Sequence, residues 1–156
     1  MPEPVAAVRK VQAAIMGAIA VVRSDLTGYA DRSTAEPLSD GEWPGYVIRY
    51  EVKFNLSPEL NQFFNDALFT FEVQSGNTAG ASLDQINQQA ITDISNALQA
   101  DPTLGGMLED IQPVGSDNSQ PDSADVGSAV LQVRATYYTL VRNHEVIVGH
   151  GGQIFP

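Results

Sequence analysis

Tyr46-Val47-Ile48-Arg49-Tyr50-Glu51-Val52-Lys53-Phe54-Asn55-Leu56 alternates along its whole length. Tyr46, Ile48, Tyr50, Val52, Phe54 and Leu56 fall on one side, and Val47, Arg49, Glu51, Lys53 and Asn55 on the other. Period-2 alternation of this kind is the pattern of a half-buried β-strand. Ser57-Pro58 stops it, and Glu59 to Asp66 reads as a connection with room for one helical turn carrying Phe63 and Phe64. A second strand follows over Ala67 to Gln74, with Phe69, Phe71 and Val73 pointing one way.

Upstream, residues 31–45 hold Asp31, Glu36, Pro37, Ser39, Asp40, Gly41, Pro44 and Gly45, the residue types of a surface loop. Trp43 stands in it either as an anchor or as a contact with another chain. Before the loop, Val5, Val8, Val11, Ile15, Ile19, Val22 and Leu26 recur at three- and four-residue steps. That spacing predicts a helix from about Pro4 to Leu26 with one apolar stripe. Ala6, Ala7, Ala13, Ala14, Gly17, Ala18 and Ala20 make the rest of its surface small, which permits close packing against a sheet or another subunit.

Downstream, Ser75 to Ala81 is a Gly/Ser/Asn loop, and Ser82-x-x-Gln85 has capping-box spacing. The helix it opens runs to about Ala100, burying Leu83, Ile86, Ala90, Ile94, Ala97 and Leu98 and turning Asn87, Gln88, Asp93 and Asn96 elsewhere. Asp101-Pro102 ends it, because the residue before proline is pushed out of helical geometry. Leu108 to Val114 fits a short edge strand limited by Pro113. Gly115 to Gly127 reads as a polar loop, and Ser128 to Leu140 as a last strong strand with bulk on both faces. Val146-Ile147-Val148 and a flexible Gly-rich end complete the chain. The order helix, strand, strand, helix, strand, strand predicts an α+β fold. The expected form is a two-layer sandwich: about four strands in a mainly antiparallel or mixed sheet, with two amphipathic helices on one face. The other face is left for solvent or assembly.

Composition narrows the function. The 156 residues suit one domain, and no cysteine is present, which excludes disulfides, thiolate zinc sites and a cysteine nucleophile. The net charge of −11 opposes the phosphate neutralisation that nucleic-acid readers depend on. Arg9, Lys10, Arg23 and Arg32 cluster near the start and read as a solvated helix face. Arg9-Lys10 before an apolar run is not read as a signal peptide, since the run keeps helical spacing and Gln12 interrupts it. No stretch is long enough to span a bilayer.

His144 and His150, with Glu145 between them, lack further converging ligands and read as exposed tail residues. Glu109, Asp110, Asp117, Asp122 and Asp125 lack the ligand spacing and turn glycine of a calcium loop. Gly149-His150-Gly151-Gly152 has no helix after it and cannot form a phosphate-binding turn. No nucleophile, general acid or base stands out, so no catalytic, cofactor-binding or metal residue is assigned and no enzyme is expected.

Residues 83–108 read L-D-Q-I-N-Q-Q-A-I-T-D-I-S-N-A-L-Q-A-D-P-T-L-G-G-M-L. E-D-I-Q-P-V-G-S-D and then V-G-S-A-V-L-Q-V-R-A-T-Y-Y-T follow. This resembles the C-terminal half of tail terminator (tail completion) proteins of long-tailed bacteriophages and related tailed particles. In that family a helix ends in a similar A-D-P-T-L-G-G, a strand follows, and the last strand closes on an aromatic-Thr pattern. The resemblance is clearest over residues 67–140. The N-terminal half agrees more loosely, with a first helix, a turn-rich loop and a strand entered from Pro44-Gly45. It implies a family-like domain over 1–140 and a C-terminal extension over 141–156.

The resemblance further implies a structural virion protein in the tail or neck, assembled in the bacterial host cytoplasm. It would form a homo-oligomeric ring, a hexamer, with the tail tube protein on one side and a head-completion or neck connector protein on the other. DNA would pass through its lumen without specific binding, and no cofactor or membrane would be involved. Residues 31–45 and 115–127 are then expected to touch adjacent rings. Another head–tail connector or stopper ring, or an unrelated α+β protein-binding module, fits the same residues.

Overall fold

The computed structural model describes residues 6–30, 38, 42, 44–76, 82–123 and 126–156, with the backbone alone for 118–123, 126 and 127. Most of the loop read over 31–45, including Trp43 and Arg32, lies outside these residues, as does Asp125.

The elements are α1 (Ala7–Val22), β1 (Thr27–Tyr29), β2 (Gly45–Ser57), β3 (Gln62–Gly76), α2 (Leu83–Ala100), β4 (Asp110–Ser123), β5 (Val126–Leu140), β6 (Asn143–Val148), a 3-10 turn (His150–Gly152) and β7 (Ile154–Phe155). The α+β class with two helices on a mixed sheet is as the sequence predicts. The sheet, however, has seven strands among the described residues and not about four. The four long strands run in the order β2-β3-β5-β4, each antiparallel to its neighbour. The extra three are short. β1 adds to β2 in parallel, and β6 and β7 come from the tail. Since β3 occupies one edge of β5, β4 and β6 share the other, β4 up to Thr136 and β6 from Tyr138.

One face of the sheet carries the core. Tyr46 and Ile48 of β2 pair with Val73 and Phe71 of β3, which pair in turn with Ala129 and Leu131 of β5. All six are buried, under Val11, Ile15 and Ile19 of α1 and Ile91, Ile94 and Leu98 of α2. At 20–33 cal/mol per Å², each of these large side chains contributes roughly 1.5–3 kcal/mol. Arg23 ties the end of α1 to α2, its Nη1 donating to Asp93 Oδ2 at 2.8 Å while its Nε donates to Asp25 Oδ1 at 2.9 Å.

Several expectations are corrected. Helix α1 ends at Val22, which is exposed, and Leu26 reaches the core only after a turn. Gln12, which interrupts the apolar run in sequence, is buried because its Nε2 donates to the Ile48 carbonyl at 3.3 Å. Asn87 does not face away; it is buried and accepts from the Ser75 hydroxyl at 2.6 Å. Phe63 and Phe64 form no helical turn. The chain reverses over Pro58 to Asn61, with Asn61 at φ 53°, and β3 begins at Gln62. Asparagine tolerates that left-handed conformation better than most residues.

The polar stretch after Gly115 is strand and not loop. Gly115 to Ser119 pairs with Gln132 to Ser128, with Val114 extruded as a bulge between Pro113 and Gly115. Ladder hydrogen bonds come from the backbone, so a well-paired neighbour such as β5 carries a partner strand of low β-propensity. The Gly-rich end docks: the His150 amide donates to the Gly106 carbonyl at 2.7 Å. Ile147 of β6 is wholly buried, so residues 141–156 complete the sheet and core.

Candidate functional site

The helices cover only part of the sheet's length. Tyr50 is open at the edge, but Val52 still packs against the core, and Phe69 and Ala67 opposite them are wholly buried. Beyond Val52, β2 and β3 continue as a ribbon whose alternation persists while its cover does not. Tyr50, Phe54 and Leu56, read from sequence as a buried face, are 39%, 59% and 57% exposed, and Leu60 in the turn is 53% exposed. Their pairing leaves no freedom to turn them away: Tyr50 stands opposite Phe69, Phe54 opposite Asn65 and Leu56 opposite Phe63, all on the core side. Among them the aromatic rings order one another. The Phe54 and Phe63 centroids lie 6.2 Å apart, and His144 of β6 sits edge-on to Phe54 at 5.3 Å and tilted over Phe63 at 4.9 Å.

Beside Phe54 a cleft of about 70 Å³ opens at the first turn of α1, lined by Val8, Val52, Asn65, Tyr137, Thr139 and His144. Asn65 forms its floor and is wholly buried. Its Nδ2 donates to the Tyr137 carbonyl at 3.2 Å, to Thr139 Oγ1 at 3.0 Å and to the Phe63 carbonyl at 3.3 Å. Two of these acceptors are backbone carbonyls, which fixes the amide's orientation: the nitrogen must face them. Asn65 Oδ1 is then left buried without a partner among the described residues. A buried acceptor in that state costs on the order of 1–3 kcal/mol until something donates to it. Lys10 spans from α1 to the far side of the tail, its Nζ donating to the Glu145 carbonyl at 2.5 Å.

No described helix lies over the opposite face of the sheet. Arg49, Glu51 and Lys53 of β2 line up there with Thr70, Leu68 and Asp66 of β3 and with Gln132, Arg134 and Thr136 of β5. Arg134 pairs with Asp66 at 3.0 Å, and Phe64 stacks at a tilt on Tyr138 at 5.1 Å. A shallow trough crosses this face between Arg49 and Val130.

The residues singled out for chemistry scatter. His144 belongs to the aromatic ribbon, while His150 pairs through Nδ1 with Glu109 Oε2 at 3.1 Å on the surface. Asp110 and Asp117 lie along β4. Among the described residues no group of three or more His, Asp or Glu is placed to hold a metal ion. No described helix is long and apolar enough to cross a membrane. Sequence reasoning missed Asn65, which stands in what reads as a connection, and it placed the ribbon residues in the core. The one usable signal was the length of the alternation, eleven residues from Tyr46 to Leu56, longer than a helix cover of this size protects.

No protein-family model matches the chain, and no curated protein matches it.

Proposed function

We propose that this chain is a structural ring protein of a tailed particle, a tail terminator that works by assembly and not by catalysis. In this reading six copies close into a ring on the end of a finished tail tube, stop its growth and join it to the neck or head-completion proteins. The observation that carries the proposal is the bare apolar ribbon of Tyr50, Phe54, Leu56 and Leu60, a surface that a lone copy holds in water. The largest contiguous apolar patch on a protein surface is often functional, and patches beyond a few hundred Å² mark protein contacts. The likeness of residues 67–140 to the tail terminator family supplies the particular assembly.

Charge fits the same reading. With 19 acids against 8 bases, a ring of such chains repels DNA phosphates. That keeps the passage from sticking over a range of roughly a Debye length, ~8 Å at physiological salt. The open sheet face and the β4–β5 hairpin remain free for the rings above and below.

A tube-capping assay tests this. Purified protein added to polymerising tail tube subunits is expected to halt elongation, with a ring visible at one end of each tube by electron microscopy. Tubes that lengthen unchanged, with bare ends, would remove the proposal.

A further inference from the structure

Two apolar surfaces of this chain lie bare, and they differ in shape. The first is the ribbon, bulky and aromatic, with Phe54 and Leu56 more than half exposed. Together with Tyr50 and Leu60 it exposes on the order of 400 Å² of mostly apolar side chain, enough to form the centre of a standard interface. The second is the outward side of α1. From Val11 to Val22 this helix has no charged residue. Ala13, Gly17, Ala20 and Val21 all face out, Val21 at 86% exposure. A surface helix ordinarily turns charge to water. At Gly17 an added Cβ would meet nothing within 4 Å, so no contact inside the chain calls for glycine there. Glycine is less favourable than alanine inside a helix, so its presence makes sense where another chain's bulk must approach closely.

The cleft beside Phe54 has Asn65 in its lining, and Asn65 Oδ1 is buried with no donor among the described residues. The amide cannot be reversed without facing its oxygen to the Tyr137 and Phe63 carbonyls.

We infer that the ribbon face of one copy receives the uncharged outer face of α1 from a second copy, a head-to-tail contact repeated around the ring. The inference deepens the ring proposal and rests on it for its closed symmetry. Bulky side chains meet small ones, and the apolar residues named on both surfaces carry no charge to be desolvated. The two surfaces cannot meet within one copy. The cleft sits at the first turn of α1 and Val21 at its last, and a helix of 16 residues spans about 24 Å. A contact between two different patches is heterologous, and such contacts form rings when the rotation closes. A symmetric ribbon-to-ribbon dimer would leave α1 bare.

The test uses two double variants of the full chain, Phe54→Asp with Leu56→Asp, and Gly17→Glu with Val21→Glu. All four positions are exposed, so circular dichroism should confirm that both variants keep the fold. Each alone is expected to drop to the monomer mass by light scattering. Mixed in equal amounts, each variant has one intact surface, so they should form a 1:1 dimer and nothing larger. Wild type assembled with both variants equally assembled overturns the inference and leaves the ring proposal standing. Wild type that is itself monomeric at all concentrations removes both. A helix variant that dimerises by itself assigns the ribbon to a symmetric contact and overturns the head-to-tail arrangement. If removing residues 2–5, and neither double variant, changes the mass, another part of the chain governs assembly and the inference also falls.

Discussion

At Gly28 an added Cβ would meet the Tyr46 hydroxyl oxygen at 2.5 Å and the Met16 methyl at 2.8 Å, so any larger residue there must displace the Tyr46 and Met16 side chains. Tyr46 is thereby closed in, and burial pushes its phenol up to about 12. Burial raises Tyr137 as well, in the same direction. Unfolded tyrosine ionises near pH 10. The folded values lie above the unfolded one, so these phenols' contribution to stability is full below about pH 10. It is lost as pH rises through the folded values, because unfolding then releases protons. The urea midpoint should be flat on this account up to about pH 9.5 and fall steeply from there to pH 12, with Tyr46→Phe making the fall shallower. Ionisation of both phenols in the folded protein below pH 11, followed by absorbance at 295 nm, would contradict it. Little of this was legible in the sequence. A tyrosine at an alternating position reads as half-buried, and only the register against β3 and the proximity of Gly28 show how completely Tyr46 is enclosed. Asn65 was less legible still, since its role depends on the Tyr137 carbonyl and the Thr139 hydroxyl of β5, far away in sequence.

The elements with strong periodicity were read well and those made of turn-forming residues were not. Both helices, β2, the second half of β3 and most of β5 follow from apolar spacing alone. The first half of β3 was lost because Ser57-Pro58 and Asn61 announce a turn, and the turn is real but shorter than the connection read there. The second half of β4, from Gly115 on, was lost for a different reason. Gly115, Ser116, Asp117 and Asn118 have low strand propensity, and their pairing is imposed by β5 through the backbone. This changes what the segment does. Removing residues 117–124 takes away strand that pairs Val126 to Val130, so it is not a neutral trimming of surface. The expected outcome is faster hydrogen exchange at the β4-facing amides of residues 126–130, with α1 and α2 protection retained. Unchanged exchange across β5 would show that this half of the hairpin does not pair in solution.

Over the whole molecule, the apolar surface exceeds what two helices cover. Tyr46 and Ile48 lie under α1, while Tyr50, Phe54 and Leu56 continue the same face into water. From sequence these five positions are equivalent. Phe54 and Leu56 differ because α1 begins at Ala7, level with Phe54 and Val52, and runs back toward β1. A single sequence cannot show where a helix stops covering a strand, which is why the fold was legible and the candidate site was not. The account therefore stands on one claim: the chain is incomplete as a monomer. Native mass spectrometry at micromolar concentration tests it most directly. Six chains of 16.7 kDa give about 100 kDa, and that species is expected to dominate. A single peak at 16.7 kDa across the accessible concentration range would contradict it.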